Sequence, residues 1–207
     1  MTVTGTPRPT PSDSTAAADA TDAPTASAAL ALVTAEIDTA LARVAPEAIA
    51  SAADAITAGR RVSLLGLGRS GLALQGLAMR LMHLGLEVHV VGEVTAPAVA
   101  DGDVLVVASG SGTTETVVRH ATRAASLGVD VVALTAAPDS PLATLARTIV
   151  HIPAAVKTDH GSTASQQYAG SLFEQATLLV GDAIFHTLWQ RGGAPAESLW
   201  PRHANLE

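Results

Sequence analysis

The sequence has no cysteine, few aromatic residues and little positive charge. Without cysteine, disulfides, thiolate zinc sites and cysteine nucleophiles are excluded. The 12 basic residues are outnumbered by 19 acidic ones, which gives a net charge of −7. This balance disfavours general attraction to nucleic acid or to an anionic membrane, so an anionic ligand must be bound locally. No apolar run approaches the ~20 residues of a membrane-spanning helix. We therefore expect neither a nucleic-acid nor a membrane partner.

The apolar side chains that are present are mostly aliphatic. Hydrophobic residues make up 48% of the chain but aromatic ones only 2%. A core of Ala, Val, Leu and Ile is typical of a layered α/β domain. The length of 207 residues suits one such domain with an appendage.

The appendage is the first 29 residues, which carry four prolines in a background of Thr, Ala, Ser and Asp. Such a segment buries too little surface to offset its ordering entropy, so it is predicted to be disordered. It shows neither the basic start nor the apolar stretch of a secretory signal, and we expect a cytoplasmic protein. Residues 30–207 then form the domain.

The domain is predicted to begin with two helices, one with apolar residues from Leu30 to Val44 at spacings of three and four, and one from Pro46 to Gly59. Beyond Gly59, short β-branched runs alternate with helical stretches, which indicates a doubly wound five-stranded parallel sheet with helices on both faces. The predicted strands are Val62–Leu65, Val88–Val91, Val104–Ala108, Val131–Leu134 and Thr148–Ile152. The predicted helices are Ser70–Leu84, Thr113–Leu127, Pro141–Ala146 and Ser171–Gln190.

Two strand-to-helix turns are rich in glycine and hydroxyl residues. The first strand leads into Gly66-Leu-Gly-Arg-Ser-Gly71, and the third into Ser109-Gly-Ser-Gly-Thr-Thr114. Glycine lets an anion approach the backbone, and the following helix offers N–H groups and a favourable dipole. The four hydroxyls of the second turn suit a phosphate monoester. The alternatives are a helix cap by Ser111 or Thr113, and a dinucleotide site, which lacks an acidic residue directly closing the second strand.

With these turns, the sequence resembles the sugar isomerase (SIS) domain, an α/β module with a flavodoxin-like sheet that binds phosphosugars. Within that family it is similar to the 6-phospho-3-hexuloisomerase branch over about residues 30–207. The loop 153–169 matches least. The matching stretches are Gly68–Gly71, Ala78–Gly85, Val90–Glu93, Asp139–Ala143, Gly170–Gln175 and Arg202–Glu207.

The resemblance implies an isomerase that converts D-arabino-hex-3-ulose 6-phosphate to D-fructose 6-phosphate in the ribulose monophosphate route of formaldehyde fixation. It also implies a homotetramer. The chemistry needs a base, donors to a cis-enediol and an acid, and it requires no redox cofactor. Isomerisation of another phosphosugar, such as arabinose 5-phosphate, and non-catalytic phosphosugar sensing stay open as alternatives.

The resemblance assigns the catalytic roles to Glu174, as the base, and to His83. Glu174 could instead be the third residue of a capping box that starts at Ser171. His83 is expected off the buried stripe of its helix, where a histidine commonly meets free carbonyls at a helix end. The implied site includes His83 either in its own subunit or in a neighbouring one.

The predicted ligands of the phosphosugar all come from the two turns. Arg69 either adds positive charge to the phosphate or pairs with an acidic neighbour. The remaining histidines have no i, i+4 metal spacing, so no metal is assigned. The predicted ligands are Gly68, Arg69, Ser70, Ser109, Ser111, Thr113 and Thr114.

Overall fold

The computed structural model describes residues 25–154 and 165–206. Most of the predicted tail, residues 1–24, lies outside them, as do residues 155–164 of the poorly matching loop and Glu207. The helices are α1 Ala26–Leu41, α2 Pro46–Ala58, α3 Gly68–His83, α4 Glu115–Ser126, α5 Pro141–Leu145 and α6 Ser171–Gly192. The strands are β1 Val62–Gly66, β2 Val88–Val90, β3 Val104–Ala108, β4 Asp130–Thr135 and β5 Thr148–His151, and two 3₁₀ turns follow at Ala196–Ser198 and Trp200–Arg202.

The five strands form one parallel sheet in the order β2-β1-β3-β4-β5. This confirms the predicted doubly wound fold. The winding direction reverses between β1 and β3, and ligands in such sheets bind beside the carboxyl ends of the strands at that point.

Strands β1, β3 and β4 send alternate side chains to two separate apolar layers. Leu64 and Val106 pack in the layer covered by α2, α3 and α6. Leu65 and Val107 pack in the layer covered by α4 and α5. Helices therefore cover both faces, as the continuous apolar runs of the strands predict.

The second leading helix agrees with the sequence pattern, whereas the first begins earlier and ends at Leu41 rather than at Val44. Helix α1 starts at Ala26 rather than Leu30, because Thr25 Oγ1 accepts a hydrogen bond from Ala28 N at 3.1 Å and caps the helix. Helix α2 begins at Pro46 and is closed by Gly59, as predicted.

The alternation of strand and helix fails between β2 and β3. Residues 91–103 cross from one strand to the next without a helix. They include Pro97, which lacks a backbone donor, and Gly92 and Gly102, both at positive φ. This connection leaves the short edge strand β2 only half buried.

Among residues 25–154 and 165–206, no helix is both long enough and apolar enough to cross a membrane.

Candidate active site

The register of the sheet brings the two small-residue turns together. Gly66, the last residue of β1, pairs with Ala108, the last residue of β3. The turn after β1 and the turn after β3 therefore start side by side at the point where the winding reverses. This is the arrangement that the sequence predicts for an anion site.

The glycines of the first turn allow helix α3 to approach strand β1 closely. A Cβ atom on Gly71 would lie 2.5 Å from the carbonyl oxygen of Gly66, and one on Gly66 would lie 2.9 Å from the backbone of Gly71. Gly68 has a φ of +57°, which disfavours other residues. Ser70 is buried in the first turn of α3. These glycines are thus explained by packing and backbone geometry without any ligand.

The hydroxyls of the second turn form two hydrogen-bonded pairs. Ser109 Oγ and Thr114 Oγ1 are 2.8 Å apart. Ser111 Oγ accepts hydrogen bonds from Thr113 Oγ1 at 2.9 Å and from Thr113 N at 3.3 Å. Hydroxyl groups have both donor and acceptor capacity, so these pairs can also bind phosphate oxygens.

The cap alternative for this turn is wrong. Helix α4 begins at Glu115, its N-cap is Thr114, and no side chain caps it. The serine and threonine hydroxyls bond to one another and within the turn instead. Because the first N–H groups of a helix have no partner inside it, the start of α4 is suited to an anion.

The backbone of the second turn is hydrogen-bonded to the segment that follows β4, both in the connection and in the first turn of α5. Ala136 N donates to the carbonyl oxygen of Gly110, and Leu142 N donates to that of Gly112, both at 3.0 Å. These bonds occupy two carbonyls that would otherwise repel an anion. They also fix the shape of the turn before any ligand arrives.

Replacing Gly112 with alanine is expected to lower the free energy of unfolding by about 2–5 kcal/mol. Gly112 has a φ of +61°, and a Cβ atom there would overlap the side chain of Ser140. Positive φ costs a residue with a Cβ about 1–2 kcal/mol, and overpacking adds about 1–3 kcal/mol. Urea unfolding measures the loss. Gly92→Ala is the control, since φ is +101° there but no atom lies within 4 Å. Equal losses in the two variants would contradict the clash with Ser140.

Helix α6 brings Glu174 to the same edge of the sheet. The ring of Phe173 packs against Gly110 of the second turn, where a Cβ would lie 3.2 Å from the ring. Glu174 is in the first turn of α6 and is only 8% exposed. The predicted capping box is wrong, because the N-cap is Gly170 and Ser171 is the first residue of the helix.

Arg69 links the first turn to the start of α6. Its Nη1 donates to Ser171 Oγ at 3.1 Å and lies 3.1 Å from Glu174 Oε2. Of the two alternatives raised by the sequence, the structure therefore contains the pairing with an acidic neighbour. Nothing in the sequence pattern singled out Ser171 as a partner of Arg69, since the two are far apart along the chain.

His83 is not brought to this site within one chain. It ends the helix that Gly68 begins, so the two ends of α3 are ~22 Å apart at 1.5 Å per residue. A role for His83 in catalysis therefore requires the site of a neighbouring copy.

The environment of His83 differs from the expectation in one respect. It was expected off the buried stripe of α3, but only 4% of it is exposed. The reason is the C-terminal segment, whose His203 ring stacks on the His83 ring at 4.0 Å between centroids. Arg202 Nη1 donates to the carbonyl oxygen of His83 at 3.2 Å, which is the helix-end role that the sequence offered to His83 itself.

The protein is expected to lose stability as the pH falls from 7 towards 5, and His83 is expected to contribute. Burial lowers the pKa of His83, and the nearby charges of His203 and Arg80 lower it further. His83 therefore binds a proton more tightly in the unfolded chain than in the folded one. Its contribution to the free energy of unfolding is complete above about pH 6.5 and is lost as the pH falls through the pKa of the folded state.

His83→Gln should reduce the loss of unfolding free energy between pH 7 and pH 5, as measured by urea unfolding at a series of pH values.

Glu36 and Asp103 affect stability in a lower pH range than His83. Burial acts to raise the pKa of each carboxyl, but hydrogen bonds outweigh it and the pKa values lie below the ordinary values. Their contribution is lost only below about pH 4. An unchanged slope above pH 5 in His83→Gln would contradict the prediction.

The assembled site combines an anion cradle with a buried carboxylate. Hydroxyls and helix N–H groups of the second turn face the same sheet edge as Glu174, a group capable of accepting a proton. In the part of the chain that the structure describes, no three His, Asp or Glu side chains are grouped to hold a metal ion. Such a site suits proton transfer on a small phosphorylated molecule.

Comparisons with known proteins agree with this architecture. The chain is 54% identical over 178 residues to a 3-hexulose-6-phosphate isomerase of Mycobacterium gastri, which covers 86% of this chain and 89% of the relative. It is 39% identical over 173 residues to a 3-hexulose-6-phosphate isomerase of Bacillus subtilis, covering 83% of this chain and 94% of that protein.

A crystal structure from Methanococcus jannaschii is also similar, with a TM-score of 0.74 and 28% identity over 86% of this chain and 99% of the other. That hypothetical protein has been inferred to be a 3-hexulose-6-phosphate isomerase. The family model of the SIS domain matches residues 55–179, a stretch that runs from α2 into α6 and contains both turns and Glu174. With more than half of its length matched, the chain belongs to the SIS domain family.

Proposed function

We propose that this protein is a 3-hexulose-6-phosphate isomerase, which converts D-arabino-hex-3-ulose 6-phosphate to D-fructose 6-phosphate. The observation that carries the proposal is the buried carboxylate of Glu174 at the sheet edge where the two small-residue turns meet. The substrate is argued from the Mycobacterium gastri and Bacillus subtilis relatives, which bear the name of this activity and cover most of the chain.

The phosphate of the substrate binds at the turn after β3. It accepts hydrogen bonds from the N–H groups at the start of α4 and from the hydroxyls of the turn, which belong to Ser109, Ser111, Thr113 and Thr114. Gly68 and Ser70 of the first turn line the neighbouring side. The sugar carbons then extend from the phosphate towards α6.

Glu174 acts on the carbon chain. Its carboxylate removes the proton from C2, which is acidified by the carbonyl at C3, and the electron pair of the C–H bond forms the C2–C3 double bond of a cis-enediolate with its charge on O3. Glu174 returns the proton to C3 while the O2 proton passes to O3, which places the carbonyl at C2. His83 of a neighbouring copy assists proton transfer at the sugar oxygens.

Turnover of a panel of phosphosugars tests the proposal. We expect the purified chain to interconvert D-arabino-hex-3-ulose 6-phosphate and fructose 6-phosphate much faster than it isomerises arabinose 5-phosphate. It should also exchange carbon-bound protons of fructose 6-phosphate with deuterated water. Faster turnover of the pentose would indicate the other substrate class, and binding without turnover or exchange would indicate a sensor.

A homotetramer is part of the proposal, and the surface of α3 and α6 supports it. Leu72 and Met79 lie on the same face of α3, two turns apart, and are 64% and 51% exposed. The neighbouring Leu178 of α6 is also exposed. Gly76 lies between them and brings Leu178 next to α3. Contiguous apolar surface of this kind is typical of interfaces between copies.

Replacing Met79 with glutamate is expected to dissociate the assembly, because an unpaired charge would be buried at the interface. Light scattering should report the mass of one chain for Met79→Glu and a multiple of it for the wild type. Thr122→Glu, an exposed change on α4, is the matched control and should leave the mass unchanged. An undissociated Met79→Glu variant would place the interface elsewhere.

The proposal includes a cytoplasmic location and a role in the ribulose monophosphate route of formaldehyde fixation. The location follows from the substrate, because an ionised phosphate crosses the apolar interior of a membrane only at high free-energy cost. The route follows from the resemblance to the hexuloisomerase branch of the family.

A further inference from the structure

Arg69 and Glu174 form an ion pair of unequal burial. The Arg69 side chain is 56% exposed and the Glu174 side chain 8%, with 3.1 Å between Nη1 and Oε2. The exposed partner therefore covers the buried one. Removing the cation would leave a buried carboxylate without this charge partner, which is strongly unfavourable.

A single nitrogen of Arg69 makes both contacts to α6. Nη1 carries two protons, and it reaches Ser171 Oγ and Glu174 Oε2 at 3.1 Å each. Ser171 is the first residue of the helix and Glu174 is one turn later, so the guanidinium spans the first turn of α6. This geometry fixes the orientation of the Glu174 carboxylate relative to the turn that follows β1.

The charges argue against a phosphate at Arg69. A substrate phosphate bound there would lie beside another anion, because the Glu174 carboxylate is 3.1 Å from Arg69 Nη1. The turn after β3 instead offers hydroxyls and the start of α4, with no carboxylate hydrogen-bonded to it among the described residues. Separation of the two anions places the phosphate at the second turn and the reacting carbons at Arg69 and Glu174.

We infer that Arg69 is a positioning residue, which aims the Glu174 carboxylate at the substrate carbon rather than binding the phosphate. The inference rests on the proposed isomerase function. It differs from the expectation drawn from the sequence, in which Arg69 belongs to the phosphosugar ligands. Because a displacement of about 1 Å in a reacting group can cost about 10²-fold in rate, the pair matters for turnover more than for affinity.

Steady-state kinetics of Arg69→Gln provide the test. We expect kcat to fall by about 10–10²-fold while the KM for D-arabino-hex-3-ulose 6-phosphate changes less than about threefold. Arg69→Lys keeps the charge and should recover part of kcat. Arg191→Gln is the matched control, since Arg191 makes an exposed ion pair with Asp54 at 2.7 Å away from the sheet edge. It should leave both constants unchanged.

A double variant separates a positioning role from an independent one. If Arg69 acts through Glu174, the pair Arg69→Gln and Glu174→Gln should be no slower than Glu174→Gln alone. A loss of kcat in the double variant equal to the product of the losses in the two single variants would overturn the inference. So would a tenfold or greater rise of KM with kcat retained, which is the result expected of a phosphate ligand. If Arg69→Gln does not fold, the KM and kcat of Arg69→Lys decide the same question.

Calorimetry with inorganic phosphate and fructose 6-phosphate tests the role of Arg69 separately from the isomerase activity. We expect Arg69→Gln to bind both anions with the affinity of the wild type, and a tenfold weaker affinity would overturn the inference. Failure of the proposed function would be visible elsewhere, in a wild-type chain that binds fructose 6-phosphate but neither isomerises it nor exchanges its protons.

Discussion

Glu174→Gln is expected to reduce kcat by ~10²–10⁴-fold, the usual effect of removing a general base. Glutamine keeps the size of the side chain and an oxygen that can face Arg69, but it cannot take the C2 proton. The variant should therefore stay folded and bind fructose 6-phosphate with little change in Kd. Exchange of the C2 and C3 protons with deuterated water, followed by NMR, measures the loss directly.

Glu47→Gln is the matched control for this variant. Glu47 also lies in the first turn of a helix, α2, but it is exposed and belongs neither to the two small-residue turns nor to α6. Loss of a carboxylate there should change stability by no more than about 0.3–1 kcal/mol and leave kcat unchanged. Substantial proton exchange in a well-folded Glu174→Gln protein would remove Glu174 as the base and favour His83.

The sheet could be predicted from the sequence because its strands are buried on both faces. Val104–Ala108 was predicted with its observed bounds, and the other strands differ by one residue or two. Short, continuous aliphatic runs without polar alternation are typical of strands in a parallel sheet that is covered on both faces. The alternation of strand and helix is only a general tendency, and it does not hold between β2 and β3, where no helix was predicted and none is found. A short segment with Pro97 and two glycines crosses without a helix.

The position of the two turns could also be predicted, since parallel strands place their carboxyl ends at one edge. The hydrogen bonds inside the second turn could not. A hydroxyl before a helix usually caps it, but here Ser111 bonds to Thr113 within the turn and Ser109 to Thr114. Tertiary contacts decide this, because the neighbouring connection after β4 fixes the backbone of the turn.

Long-range pairs account for the remaining differences. Arg69 and Ser171 are separated by 102 positions, and His83 and Arg202 by 119. No local spacing indicates such contacts. The sequence could therefore suggest Glu174 and His83 only through a family resemblance, and it could not show that the first is held by Arg69 and the second is covered by His203.

Ser111→Glu is expected to weaken the binding of fructose 6-phosphate by about 10²–10³-fold or more. A carboxylate in the turn after β3 would face the substrate phosphate, and like charges brought together cost several kcal/mol, where each 1.4 kcal/mol is tenfold in Kd. The fold should survive, because the hydrogen bonds of Ser111 with Thr113 are exposed. The backbone bonds that hold the turn are accepted by the carbonyls of Gly110 and Gly112, not by Ser111. Isothermal calorimetry with fructose 6-phosphate and with inorganic phosphate gives the affinities.

Ser111→Gln separates charge from bulk, since glutamine has the size of glutamate without its charge. It should bind fructose 6-phosphate more weakly than the wild type but clearly better than Ser111→Glu, and the gap between the two variants should narrow as salt screens the repulsion. Because both ligands share only the phosphate group, they should lose affinity in parallel. Wild-type affinity in a folded Ser111→Glu protein would contradict the assignment and move the phosphate to another part of the sheet edge, with the first turn as the next site to examine.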